Sequence, residues 1–156
     1  MSSRSPTPAL LKWLAPFLVF MAVPALSGCA DSTDFQASLA SRAESTEFTL
    51  PRGEDSGAPF ELWDEVFIAC PYTDVTTAPA PFAKAAMAVD TPSNEGAQWL
   101  LFAKDSKVKR ISMNRTSIDF CLDGAVNNAH RHDQLWSAKK SDGAWLMTAV
   151  DHQRAG

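Results

Sequence analysis

The sequence predicts a small α+β fold, an antiparallel β-meander sheet with one or two short helices in a single domain carrying one disulfide. Three observations lead there. From residue 63 onward, short runs rich in β-branched and aromatic residues alternate with turn residues. Only two stretches, Thr33 to Leu39 and Phe82 to Val89, place apolar side chains at helical spacing. Once an N-terminal processing segment is set aside, 128 residues remain, enough for one core and too few for two.

The processing segment has the parts of an export signal. Arg4 and Lys12 supply positive charge, and Trp13 to Leu26 runs for 14 residues without a charged side chain. A membrane-spanning helix needs about 20 apolar residues, and Pro16 and Pro24 would interrupt this one, so a permanent span is not expected. The run ends in Leu26-Ser27-Gly28-Cys29. That tetrapeptide resembles, at every position, the lipobox of exported bacterial lipoproteins. The resemblance implies cleavage between Gly28 and Cys29 and a thioether-linked diacylglycerol on Cys29. Two or more acyl chains, at about 0.8 kcal/mol per buried methylene, hold a protein stably at a bilayer. The implied organisation is a signal peptide over 1–28, a lipidated tether over 29–34 and one α+β domain over 35–156. The implied location is the extracytoplasmic face of a cell membrane. An ordinary secretory signal with Cys29 incidental is the alternative, and Ala30 followed by Asp31 leaves the choice of membrane open.

Thr33 and Gln36 stand at capping-box spacing, with Phe35 and Leu39 one turn apart, which predicts a short helix. Pro51, Gly53, Gly57 and Pro59 mark the next stretch as a loop. Trp63 to Cys70 reads as a largely buried strand stopped by Pro71, and the stretch from Tyr72 to Pro81 as a loop with two further prolines. In Phe82 to Val89, the residues Phe82, Ala85, Ala86 and Val89 share one helical face. Gln98 to Ala103, Val108 to Met113 and Ser117 to Leu122 read as three successive meander strands. Gln134 to Lys139 and Ala144 to Val150 flank Asp142-Gly143, the best hairpin signal in the chain. In the third meander strand Ile118, Phe120 and Leu122 would share one face, with Cys121 and a solvent-facing Asp119 on the other.

With Cys29 assigned to lipid, Cys70 and Cys121 are left in an oxidising compartment and are expected to pair. A loop of about 50 residues closed this way is worth about 4 kcal/mol by chain entropy, before any native strain. Two buried free thiols are the alternative; a redox-active pair lacks the close Cys-x-x-Cys spacing.

Processing removes Arg4 and Lys12 and no acid, leaving 12 basic against 18 acidic residues, a net charge of −6. That balance argues against a nucleic-acid partner, which calls for a basic face. His130, His132, Asp133 and His152 form the one cluster of metal-ligating types, since residues two apart on a strand project to the same side. Arg131 between the histidines opposes a cation, and solvent-exposed polar residues are the simpler reading. No Gly-x-Ser-x-Gly turn and no glycine-rich phosphate loop occur. Asp64 and Glu65 are adjacent and point to opposite faces of a strand. Among the aromatics, Tyr72 in its proline-rich loop and Trp136 in the last hairpin are the candidate partner contacts, core packing being the default for the tryptophans.

Trp63-Asp64-Glu65-Val66 and Pro71-Tyr72-Thr73, followed by Leu100-Leu101-Phe102-Ala103-Lys104, Lys107-Val108 and Ile118-Asp119-Phe120, resemble a group of small bacterial lipoproteins over about residues 60 to 122. The resemblance implies a related α+β domain and no particular reaction; Cys70 and the terminal Trp-containing hairpin depart from it. The expected function is a membrane-anchored, non-catalytic lipoprotein that binds a protein or envelope component, with no cofactor beyond the lipid on Cys29. A metal-binding lipoprotein using His130 and His132 is the alternative, and a hydrolase with a dispersed site stands behind both.

Overall fold

A computed structural model describes residues 32–89, 91–122 and 128–151. The expected signal segment, Cys29 and His152 lie outside the described residues. The fold is α+β in three layers. A four-stranded antiparallel sheet sits in the middle, in the order β3-β2-β1-β5. Its strands are β1 (Glu65–Ala69), β2 (Ala97–Lys104), β3 (Lys107–Asn114) and β5 (Ala129–Arg131). One face is covered by helix α1 (Ser32–Arg42) and a three-stranded sheet made of β4 (Ile118–Asp119), β6 (Trp136–Ser141) and β7 (Ala144–Ala149). Helix α2 (Ala83–Ala86) and the single-turn helix Val75–Thr77 cover the other.

The apolar runs of β1 and β2 follow from this sandwiching, because a strand covered on both faces needs apolar side chains at every position. Val66, Ile68, Leu100 and Phe102 enter the larger core, and the alternate residues Phe67, Ala69, Trp99 and Leu101 enter the smaller one. Phe102 lies at the centre of the larger core, edge-on to Phe35 at 5.3 Å and to Trp63 at 5.2 Å between ring centroids. Such pairs add about 0.5–1.5 kcal/mol beyond area burial. On the opposite face Phe67 stacks on Phe82 at 5.8 Å, with Ala86 and Val89 completing the apolar face predicted for the second helix.

Helix α1 begins at Ser32, inside the stretch assigned to the tether, and buries Phe35 and Leu39 as the sequence predicts. Gly57 lets it dock. A Cβ there would lie 2.3 Å from the Phe35 nitrogen, and φ of 68° is itself unfavourable for other residues. At the other end of the chain Asp142 and Gly143 have φ of 50° and 90°, the type I′ pattern that matches strand twist and sets Ser141 opposite Ala144.

The third meander strand departs from expectation. After Asn114 the chain leaves the central sheet, and β4 pairs parallel with β7 instead of with β3. Beside β3, Ile118 and Phe120 would share an edge lined by Lys107, Lys109 and Arg110; in the second layer they join Trp136 and Met147 in the large core. Pairing ends at Asp119, so Leu122 does not share their face and is 61 % exposed. Asp119 is buried rather than solvent-facing, because Arg115 grips its carboxylate at 2.9 and 3.2 Å.

Two links fasten the crossing segment to the central sheet. Gln98 on β2, fully buried, donates its side-chain amide to the Ile118 carbonyl and accepts the Phe120 N–H at 2.9 Å. Cys70 after β1 is bonded to Cys121, with Cα atoms 5.7 Å apart.

Gln98→Leu would bury the Ile118 carbonyl and the Phe120 N–H without partners, at about 1–3 kcal/mol for each group. Urea unfolding should show a loss of about 2–5 kcal/mol; a change under 1 kcal/mol, on the order of an ordinary surface substitution, would mean that the amide is not the link. Replacing Cys70 and Cys121 together by alanine should cost about 2–4 kcal/mol in the same measurement.

Candidate functional site

Pro71 halts β1, because it has no N–H for the ladder, and opens a tight turn. The Thr73 N–H donates to the Cys70 carbonyl at 3.0 Å, and the Thr73 hydroxyl accepts the Cys70 N–H at 2.9 Å. With proline at the second position and φ of 64° at the third, the turn has the type II pattern. The third position normally takes glycine, and here it is Tyr72. A side chain held there costs on the order of 1–3 kcal/mol, a strain that persists only where surrounding contacts fix it.

Two contacts fix Tyr72 here. The Tyr72 N–H donates to the Thr91 carbonyl at 3.3 Å, and the phenol donates a hydrogen bond to the Glu95 carboxylate. The ring is nonetheless 70 % exposed. Tyr72, Pro71, Thr73, Glu95, Arg115 and the Cys70–Cys121 disulfide line an open cleft of about 350 Å³. Leu122, next in sequence to Cys121, is exposed as well. A notch of this size takes one side chain or one sugar-sized group rather than enclosing a larger ligand.

The polar groups of the cleft are mostly engaged. Arg115 directs two nitrogens to Asp119 and the third to the Glu95 carbonyl at 3.0 Å; Asp119 also accepts the Cys121 N–H at 2.7 Å. Both sulfurs are in the disulfide. The cleft therefore presents an aromatic ring and a carboxylate on a stiff base, without a nucleophile set beside a base.

Of the residues singled out by sequence, Tyr72 is exposed as expected. Trp136 is not: it is 1 % exposed, edge-on to Phe120 at 5.2 Å, and its backbone bonds Phe48 in both directions. Trp136 thus belongs to the core rather than to a contact surface, because the strand alternation turns its indole inward. His130 lies on β5 opposite Val66 and 4.9 Å from the Trp136 ring, while Asp133 is paired with Arg131 at 3.2 Å. That guanidinium holds the Asp133 carboxyl below its ordinary range. Among the described residues no group of three or more His, Cys, Asp or Glu is arranged to hold a metal ion, and His152 lies outside them. Among the described residues, too, no helix is long and apolar enough to cross a membrane. Glu95 and Arg115 carried no sequence signal, since each acts through a contact made across loops, to Tyr72 and to the Glu95 carbonyl. No protein family, characterised protein or solved structure matches this chain.

The hydrogen bond to Glu95 raises the Tyr72 phenol above the ordinary tyrosine range, because the bond needs the phenolic proton, and ionisation would also set two negative oxygens face to face. The contact is complete at neutral pH and is lost as pH rises through the raised folded value. Tyr72 is the only tyrosine in the chain, so the ultraviolet tyrosinate band reports it alone. The band should appear above the free-tyrosine midpoint, and Glu95→Gln should bring it down; an unmoved midpoint would remove Glu95 as the partner.

Proposed function

We propose that this protein is a lipoprotein of the bacterial cell envelope, anchored through acylated Cys29, whose domain binds an envelope protein or other envelope component without catalysis. Tyr72 carries the binding half of the reading: an aromatic side chain, 70 % exposed, is held in a strained backbone conformation beside a cleft and a disulfide. Strain of this kind collects at functional positions, and exposed tyrosine is a favoured contact residue. The lipobox Leu26-Ser27-Gly28-Cys29 carries the anchoring half. The disulfide supports an extracytoplasmic site, since such bonds persist where thiols are not kept reduced.

The fold also suits presentation away from a membrane. The start of α1 packs near Phe102, toward the β2–β3 hairpin, whereas Tyr72 and Glu95 lie at the opposite end of β1 and β2. From Phe102 to Glu95 the chain covers roughly 20 Å. A domain tethered through Cys29 would hold the cleft on its far side. The histidine segment gains no comparable support, with Asp133 committed to Arg131.

In a bacterial host, Cys29→Ala should abolish acylation of the N-terminal peptide by mass spectrometry and move the protein out of the membrane fraction; retention in the membrane would refute the anchor. Site-specific crosslinking from Thr73 in intact envelopes should capture one dominant partner. Tyr72→Gly removes the ring and relieves the backbone strain, so it should abolish capture while leaving the unfolding midpoint equal or higher. Undiminished capture with Tyr72→Gly would place the binding face elsewhere.

A further inference from the structure

We propose that the cleft beside Tyr72 takes a basic side chain, lysine or arginine, from a partner protein, with its stem across the tyrosine ring and its charge on Glu95. This names the partner chemistry of the Tyr72 contact and rests on that binding role. The juxtaposition that carries it is an exposed aromatic ring whose hydroxyl touches a carboxylate. The Tyr72 phenol donates to Glu95 Oε1, and both residues are exposed and line the same open cleft of about 350 Å³.

The charges of the cleft leave Glu95 as the group to be met. Arg115 sets two nitrogens on Asp119 and a third on the Glu95 backbone carbonyl, so its charge is balanced by Asp119 rather than by the Glu95 carboxylate. Among the described residues no ion pair reaches Glu95, and the hydrogen bond to its carboxylate comes from a neutral phenol on Oε1. Oε2 is left to accept from outside. Asp74, exposed on the same loop as Tyr72, adds negative charge nearby while its carboxylate accepts from Thr76.

A cation within about 6 Å of a tyrosine ring centre is attracted by the ring quadrupole, and a carboxylate adds a charge-assisted hydrogen bond. Because the phenol oxygen touches the carboxylate, a side chain lying along the ring ends at Glu95. The protein treats its own rings this way: Lys109 stands 4.7 Å from the centre of Phe60 and Lys140 5.4 Å from that of Trp145. Among the described residues no such pair involves Tyr72. Its ring is also pre-set for contact, held at the backbone by Thr91 and at the hydroxyl by Glu95, so little freedom remains to be lost on binding. The net charge of −4 steers a basic partner toward the domain and an acidic one away. An open notch that takes one side chain would hold a free small cation by few contacts; a protein segment supplies the rest from its neighbouring residues.

The test is photocrosslinking from Thr73 of the full chain in intact envelopes, with the linked residue of the partner located by tandem mass spectrometry. The link should fall on a protein, beside a lysine or arginine. Glu95→Gln keeps an oxygen for the phenol and removes the charge, so it should cut capture about fivefold or more. Glu61→Gln removes the same charge at the other end of β1 and should leave capture unchanged, which separates contact at Glu95 from attraction by the net charge. Glu95→Lys should abolish capture, and changing the located basic residue of the partner to glutamate should restore it. Capture that is lost with Tyr72→Gly yet equal in Glu95→Gln and the parent overturns the basic contact and leaves the binding role of Tyr72 standing. So does a link to glycan, to lipid or to a protein segment without a basic residue, and so does equal loss in Glu95→Gln and Glu61→Gln. Absence of capture in the parent overturns both.

Discussion

The fold depends on fastening one short segment. The residues after β3 cannot rejoin the central sheet's ladder without exposing Ile118 and Phe120 at its edge, so they cross into the second layer. There β4 makes only a two-residue pairing with β7. Ladder bonds alone would hold so short a strand weakly, because each contributes about 1 kcal/mol net. Gln98 supplies what the ladder lacks. Its side-chain amide has one donor group and one acceptor directed at the backbone of the same segment, imitating a neighbouring strand from within the core. The disulfide then closes the remaining freedom two residues on, where pairing has ended. Together they register the second sheet against the first, and with it the large core between them.

This explains which parts of the fold were legible in the sequence. The elements were readable wherever one local rule decided them: continuous apolar character in β1 and β2, the Phe35–Leu39 and Phe82–Val89 helical faces, and Asp142-Gly143 in the last turn. The cysteine pair was readable from the even count left once Cys29 was set aside and from the expected oxidising compartment. The partner of β4 was not, because Ser117 to Leu122 has the same alternation whether it pairs with β3 or β7. Only the competition between a charged edge and a buried layer decides it. Asp119 failed for a related reason. Alternation assigns a charged residue to solvent, and nothing local reveals that Arg115 will turn back to pair with it.

The cleft was half legible. A tyrosine after a proline at the end of a buried strand announces an exposed aromatic. That it occupies a glycine-like position in a tight turn could be suspected from Cys-Pro-Tyr-Thr, but its hydrogen bond to Glu95 joins loops 23 residues apart. Trp136 failed by the opposite route: its hairpin was placed correctly, yet which face of the hairpin meets the core depends on β4 lying beside β7.

At Tyr72 the protein departs from its own lowest conformational energy, and the departure is compensated by the Thr91 and Glu95 contacts that hold the ring outward. A glycine at position 72 would relieve that strain without disturbing the aromatic core around Phe102. The relief is not in place, and the proposed contact at Tyr72 rests on that observation.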